Sequence, residues 1–344
     1  MSARQADIRG SLARVLWLVG RVAEACAQLD QAIPVLRQAN EFAELAVDVS
    51  LRSQLALETG DLAAALDLSK QACGLVSDAE ASAREWQNVM DHRPRVLAAA
   101  NRYDEALELI AAVRTDRRFG PQPSQARLIE AEAAMLLELG RGGQAQRLLE
   151  PLAAVDGGVI GNRGSRAVLA LQGQTLQARP VAAERPDRVR DQVSGVLQRC
   201  RYAALAAPHL PPPAALQLCA SALELAESLG LKGHLPGFLA SQADALQRAA
   251  QGDEARRCAQ RAVRLLESIT PPTYRGSIWL SLHNTLTALG DTATAREVLL
   301  QAGEWLHPAA RSVPPEFRDS FFARNAVNRQ LMLLATKAAI APAR

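Results

Sequence analysis

A phrase repeated about every 40 residues constrains this chain more than any other feature. Each copy is an apolar helical segment, a Gly or Asn, one to four polar or small residues, then an Ala followed by apolar or small positions at helical spacing. Leu16 to Gly20 runs into Glu24, Ala25, Leu29 and Ala32; Leu55 to Gly60 runs into Asp61, Ala65 and Ala72; Ala98 to Asn101 runs into Asp104, Glu105, Ala106 and Ile110. Leu136 to Gly140 leads to Ala145 and Leu149, Ala249 to Gly252 leads to Asp253, Glu254 and Ala255, and Leu286 to Gly290 leads to Asp291, Ala295, Leu299 and Ala302. The Gly or Asn supplies the left-handed residue that ends a helix. The acid satisfies free N–H groups and the dipole of the next helix. The Ala lies where two helices cross and a larger side chain would push the axes apart. One helix pair cannot bury its apolar face alone, but stacked neighbours can, so an elongated, all-α array is expected.

The phrase decays between Ala145 and Ala255. Ala215, Cys219, Ala222 and Leu223 keep the second-helix pattern, and Asp187 to Ala207 reads as a first helix before it. Ala183 is the only trace of a fifth copy, and Pro180 and Pro186 bracket it. The anchoring alanines are therefore Ala25, Ala65, Ala106, Ala145, Ala183, Ala215, Ala255 and Ala295. Val155 to Ser165, with Gly157, Gly158, Gly161 and Asn162, reads as a flexible loop dividing the array. The expected organisation is an N-terminal lobe at 1–154, a degenerate repeat and joint at 155–186, a C-terminal lobe at 187–307, and capping helices and tail at 308–344. In the cap, Ser312 is expected to start a helix before Pro314 and Pro315; Phe317 and Phe321 share a face, which Val327, Leu331 and Leu334 continue.

The balance of 39 basic and 36 acidic residues, interspersed along the chain, leaves no footprint for nucleic acid. No segment reaches the roughly 18 uninterrupted apolar residues of a membrane span, and Arg4, Arg9 and Arg14 interrupt any signal-like stretch, so the expected address is cytoplasmic. The five cysteines are scattered without metal-ligand spacing and read as reduced and structural.

Catalytic signatures are missing. No phosphate-binding loop occurs: Gly230-Leu231-Lys232-Gly233 reads as a helix-helix turn, and Gly158 to Gly164 has no strand before it. His92, His209, His234, His283 and His307 lack any i, i+4 pairing, so no metal or cofactor is expected. The carboxylate pairs Asp104-Glu105 and Asp253-Glu254 sit at helix starts, where dipole compensation explains them. Arg256, Arg257, Arg261 and Arg264 read as a solvated face.

These copies resemble the tetratricopeptide-repeat (TPR) superfamily, most closely around Trp279, Leu282, Leu286, Gly290, Ala295, Leu299 and Ala302. The run from Val313 to Phe322, followed by Val327 to Leu331, is similar to the tail that closes the repeat region of large bacterial AAA-type ATP-dependent regulators. The resemblance implies a right-handed α-solenoid of about eight TPR-like helix pairs with a C-terminal helical cap. It also implies a non-catalytic protein- or peptide-binding scaffold, an interaction or sensor module in bacterial signalling or transcriptional regulation with an ATPase or regulator as partner. A small-molecule-sensing repeat domain of such a regulator is the rival expectation. Neither nucleic acid nor membrane is an expected partner. If the array coils as in the superfamily, first helices line a concave face at Arg14, Trp17, Gln54, Asn88, Asp91, Arg95, Arg127 and Glu130, and in the second lobe at Asp244, Gln247, Arg248 and Asn284; Trp17 reads equally as a core residue. Arg95 and Arg127 are the expected anchors for an acidic segment.

Overall fold

The computed structural model describes residues 2–118, 126–153, 207, 210–272 and 274–340. Among them the regular structure is helical, with no strand. The first four copies pair α1 (Ala3–Leu18) with α2 (Val22–Ala39), α3 (Phe42–Thr59) with α4 (Leu62–Asp78), α5 (Ala83–Met90) and α6 (Arg93–Ala99) with α7 (Tyr103–Thr115), and α8 (Ala126–Glu138) with α9 (Gly142–Ala153). Helix α10 (Pro212–Ser228) opens the second lobe. The pairs α11 (Leu235–Arg248) with α12 (Gly252–Leu266) and α13 (Arg275–Ala288) with α14 (Thr292–Arg311) follow, then α15 (Pro315–Ala323) and α16 (Ala326–Ile340). The expected loop at Val155 to Ser165, the copy at Ala183 and the helix from Asp187 lie outside the described residues.

Local chemistry accounts for the helix ends. Gly20, Gly60, Gly140, Gly230 and Gly290 all hold positive φ, and Asn101 takes the same conformation at φ +59°. In the pair α11–α12 the left-handed residue is Ala250, at φ +60°, while Gly252 already belongs to α12. Asp61 and Asp291 accept from the backbone N–H groups of Ala64 and Thr294 at 3.0 and 3.2 Å. The first helix of the third copy breaks at Asp91 and His92, because Pro94 has no N–H to give to the preceding turn. Ser312 does not start the cap: it ends α14, which runs on through Pro308 to Arg311, past the expected boundary at 307. Pro314 stands before α15 instead.

Every described anchoring alanine is buried, Ala295 at 2% exposure and the other six at 0%. The first helices α1, α3, α5–α6 and α8 touch in succession, and α11 touches α13 in the same way. Equivalent side chains tie each of copies two to four to the second helix of the copy before. Arg52 Nε donates to Asp30 Oδ1 at 2.9 Å, Arg93 Nη1 to Ser69 Oγ at 3.2 Å, and Arg114 Nη2 pairs with Glu132 Oε2 at 2.6 Å.

The second lobe does not simply extend the first. It lies beside it, with the turns inside the first three helix pairs docked against the connections that follow α10, α12 and α14, and the turn of the fourth against the cap. A methyl group on Gly20 would stand 2.7 Å from Leu229, and one on Gly60 would stand 2.5 Å from Ile269 and 3.2 Å from Gly233. The Thr270 N–H donates to the Gly60 carbonyl at 3.1 Å and the Asp104 N–H to the Ser312 carbonyl at 3.0 Å. Ser312 Oγ donates to the Asn101 carbonyl, 211 residues away, while Trp305 Nε1 donates to Asn101 Oδ1 at 3.1 Å. At the fourth copy the cap takes over: Ser320 Oγ lies 2.7 Å from the Leu139 carbonyl, and Asn325 Nδ2 donates to the Glu138 carbonyl at 2.7 Å. The expected elongated array is thus two rows side by side along a polar seam.

Candidate functional site

The seam holds two carboxylates, Glu58 buried and Glu138 half-buried, each two residues before the glycine that ends its helix. Glu58, from the turn closed by Gly60, places Oε2 2.5 Å from His234 Nε2, with both side chains at most 2% exposed. Arg95 Nη2 lies 3.4 Å from the other oxygen of Glu58, and the His234 ring stacks on Phe238 with centroids 6.0 Å apart. Glu138, before Gly140, accepts from the Tyr103 hydroxyl at 2.9 Å. Desolvation pushes the Glu138 carboxyl up to about 7, against the opposing pull of the Tyr103 hydroxyl and the Arg275 charge. Tyr274 donates to Asn328 Oδ1, and Arg275 Nη2 donates to the Ala99 carbonyl at 3.3 Å. Of these contacts, Glu58 with His234 and Arg275 with the Ala99 carbonyl cross from one row to the other, and a buried carboxylate such as Glu58 is costly to deprive of its partner.

Where the first row ends, a cleft of about 840 Å³ opens between α7, α8, α9 and the segment from Arg311 to Arg318. Leu107, Leu136, Leu148 and Phe317 give it an apolar lining, and Val313, Pro314 and Pro315 form a lip. Arg147 from α9 and Arg311 from the end of α14 line it, and Asp104, Glu108 and Glu316 add acidic groups. The lip owes its position to Ser312, tied to Asn101 and Asp104, and to Arg141, whose Nη2 donates to the Glu316 carbonyl at 2.5 Å while its guanidinium covers Phe317. Deeper in the wall, Glu132 is held by Arg114, and burial raises its carboxyl above the usual range.

The expected concave-face residues fall on several helices. Arg14 is exposed on α1, and Trp17 is half-buried there with its indole N–H shielded and without a hydrogen-bond partner among the described residues. Gln54 on α3, Asn88 on α5 and Glu130 on α8 are half-buried along the row of first helices, and Asp91 is buried at the break in the third copy. Arg95 is brought to Glu58, so its charge is engaged within the chain. The Arg127 side chain lies outside the described residues. In the second row Arg248 pairs with Asp244 at 2.9 Å and donates to the Leu210 carbonyl at 2.9 Å. Gln247 is half-buried near them and Asn284 is exposed on α13. The structure joins Arg95 to the seam and Asp244 to Arg248.

Sequence reasoning missed Glu58, Glu138, His234, Tyr274 and the cleft. The available signal was a carboxylate two residues before the turn glycine in both Leu57-Glu58-Thr59-Gly60 and Leu137-Glu138-Leu139-Gly140.

Ser53 Oγ donates to the Ala65 carbonyl at 2.8 Å and lies 3.1 Å from His92 Nε2. With the hydroxyl proton committed to a carbonyl and both residues buried, this contact ties the two helices of the second copy and presents no accessible nucleophile. Burial pushes the thiols of Cys73 and Cys219 up to about 11 and about 12, so both stay protonated near pH 7. Among the described residues no group of three or more His, Cys, Asp or Glu side chains is arranged to hold a metal ion, and no helix is long and apolar enough to cross a membrane. No protein family's sequence profile matches the chain, and no curated protein matches it, so a functional reading starts from the geometry of the cleft and the seam.

Proposed function

We propose that the chain is a non-catalytic binding module of the TPR-like kind, and that the cleft at the end of the first row receives a segment of a partner protein. The observation that carries this reading is the cleft itself. Its volume of about 840 Å³ falls in the range of ligand sites, and it joins an apolar lining to arginines on two walls. Arg147 and Arg311 are both exposed, which suits a guanidinium to a carboxylate brought by a partner. The occupant that fits the two arginines is a peptide with an apolar anchor and carboxylates spaced to meet Arg147 and Arg311, clear of Asp104, Glu108, Glu132 and Glu316. This moves the expected acidic-segment contact from Arg95 and Arg127 to Arg147 and Arg311. A role beside an ATPase or regulator in bacterial signalling or transcriptional regulation rests on the resemblance of the 313–331 tail, and a cytoplasmic address on the short, interrupted apolar stretches of the sequence.

The test is an array of short acidic, basic and neutral peptides, each with one leucine or phenylalanine, probed with the wild-type chain and with Arg147→Ala/Arg311→Ala. Wild type should select the acidic members, and the double variant should lose that selection while keeping its helical spectrum and melting temperature. Unchanged selection by the double variant refutes the cleft as the binding site. If no peptide binds while a small metabolite raises the melting temperature of wild type and not of the variant, the sensing function replaces the peptide reading.

A further inference from the structure

The outward side of α1 carries a row of large apolar side chains in water: Ile8 is 59% exposed, Leu12 44%, Val15 54% and Val19 46%. Their spacing of four, three and four residues places them on one side of the helix, opposite Ala6 and Ala13, which are fully buried against the rest of the array. Exposed apolar side chains are ordinary singly, but a contiguous row is not. The other large ones, Phe42, Leu300 and Leu333, stand apart on α3, α14 and α16.

The repeat phase shows what this side is built for. Leu12 occupies the position of Arg52, Arg93 and Glu132 in the next three copies, each bonded to the second helix of the copy before. A surface made to receive one more repeat of that kind would carry a polar group here. The first copy carries leucine, and the four-three-four spacing is that of a coiled-coil seam. No charged residue interrupts the row, and Arg9 beside it is drawn toward α2, with Nη1 donating to Gln28 Oε1 at 2.5 Å.

We infer that α1 docks on α1 of a second copy of this chain as an antiparallel helix pair. The two-fold axis passes between Leu12 and Val15, so that Leu12 meets Val15 of the second copy and Ile8 meets Val19 of the second copy. The row is self-complementary about that point, whereas a head-to-tail contact would need a second exposed apolar row, and none occurs among the described residues. Four side chains offering on the order of 100 Å² each from both copies remove about 800 Å² of apolar surface. That is the apolar half of a standard interface of about 1,600 Å².

Sedimentation equilibrium of the full chain reads this directly. The mass should rise from 36.9 kDa toward twice that value as concentration increases. Leu12→Glu/Val15→Glu and Leu12→Lys/Val15→Lys should each remain at the single-chain mass, with helical content unchanged because these side chains face solvent in the single chain. An equimolar mixture of the two variants should regain the doubled mass, since opposite charges then meet across the axis. A wild-type chain that keeps the single-chain mass at about 100 µM overturns the inference, because an interface of this size sustains micromolar association. A doubled mass that survives in either variant alone overturns it too, by placing the contact elsewhere.

Discussion

Gly140 and Gly290 form a matched pair for measuring what row-against-row docking contributes. Both end a first helix in the left-handed region, at φ +73° and +74°, so an L-residue suffers nearly the same backbone strain at either. Their surroundings differ. A methyl group on Gly290 meets no described residue within 4 Å, while one on Gly140 would overlap the Ser320 carbonyl oxygen and stand 2.9 Å from the Asn325 backbone nitrogen. Gly290→Ala should therefore cost about 1 kcal/mol, the left-handed penalty alone. Gly140→Ala carries that penalty plus an overpacking cost of about 1–3 kcal/mol, because the obstacle is backbone and cannot rotate away. The total is about 2–4 kcal/mol, bounded above by what the cap's docking is worth, since the cap can lift off instead. Urea unfolding at unchanged slope gives the two losses, and hydrogen exchange locates them. Amides of α15 and α16 should lose protection in Gly140→Ala and keep it in Gly290→Ala. Equal losses, or unchanged protection of the cap, would refute the docking of α15 and α16 on the fourth copy.

Two further outcomes follow from single residues. Ala250 holds φ +60°, a conformation that glycine adopts without strain, so Ala250→Gly should raise the urea midpoint, a gain of about 0.5–1 kcal/mol. Asp48 is 4% exposed, and burial pushes its carboxyl up to about 7, with Asp7 and Glu44 adding to the rise and Arg14 opposing it. A folded-state pKa above the unfolded one means the native state binds the extra proton, so stability should fall as pH rises from about 4 to 7. Asp48→Asn should flatten that slope, matching wild type near pH 4 and exceeding it by about 1–3 kcal/mol near pH 8, as read from urea midpoints at the two pH values. A variant with the wild-type slope would assign the titration to another group, Glu138 first.

The parts of the fold that were legible in the sequence are those fixed by contacts inside one copy. Ala25, Ala65, Ala106 and their counterparts announce helix crossings through spacing alone, and Asp61 and Asp291 cap the helices that follow them. The seam was illegible because its two sides look like ordinary turns. His234 belongs to a segment that reads as a helix-helix connection, and only its meeting with Glu58, 176 residues away, gives it a role. Ala250 misled for a different reason: packing and hydrogen bonds in the α11–α12 turn impose a left-handed residue without a glycine to mark it. The cleft escaped notice because it belongs to the junction of the fourth copy with the cap, and no periodic pattern describes a junction.

Along the seam, Gly20 meets Leu229, Gly60 meets Ile269, and Tyr103 meets Ser312 at a separation of 209 residues, the same separation as in the first two contacts. The rows behave as two combs whose teeth mesh because both have nearly the same pitch. A single-residue insertion in a turn of α3–α4 would be harmless to an isolated solenoid, which absorbs it locally. Here the Gly60 turn already presses on Ile269 and Gly233 of the other row, so an added residue has no free space to bulge into. The turns of the first row that look like loops are therefore interface, and lengthening one disturbs its partner in the second row before it disturbs the helices it joins.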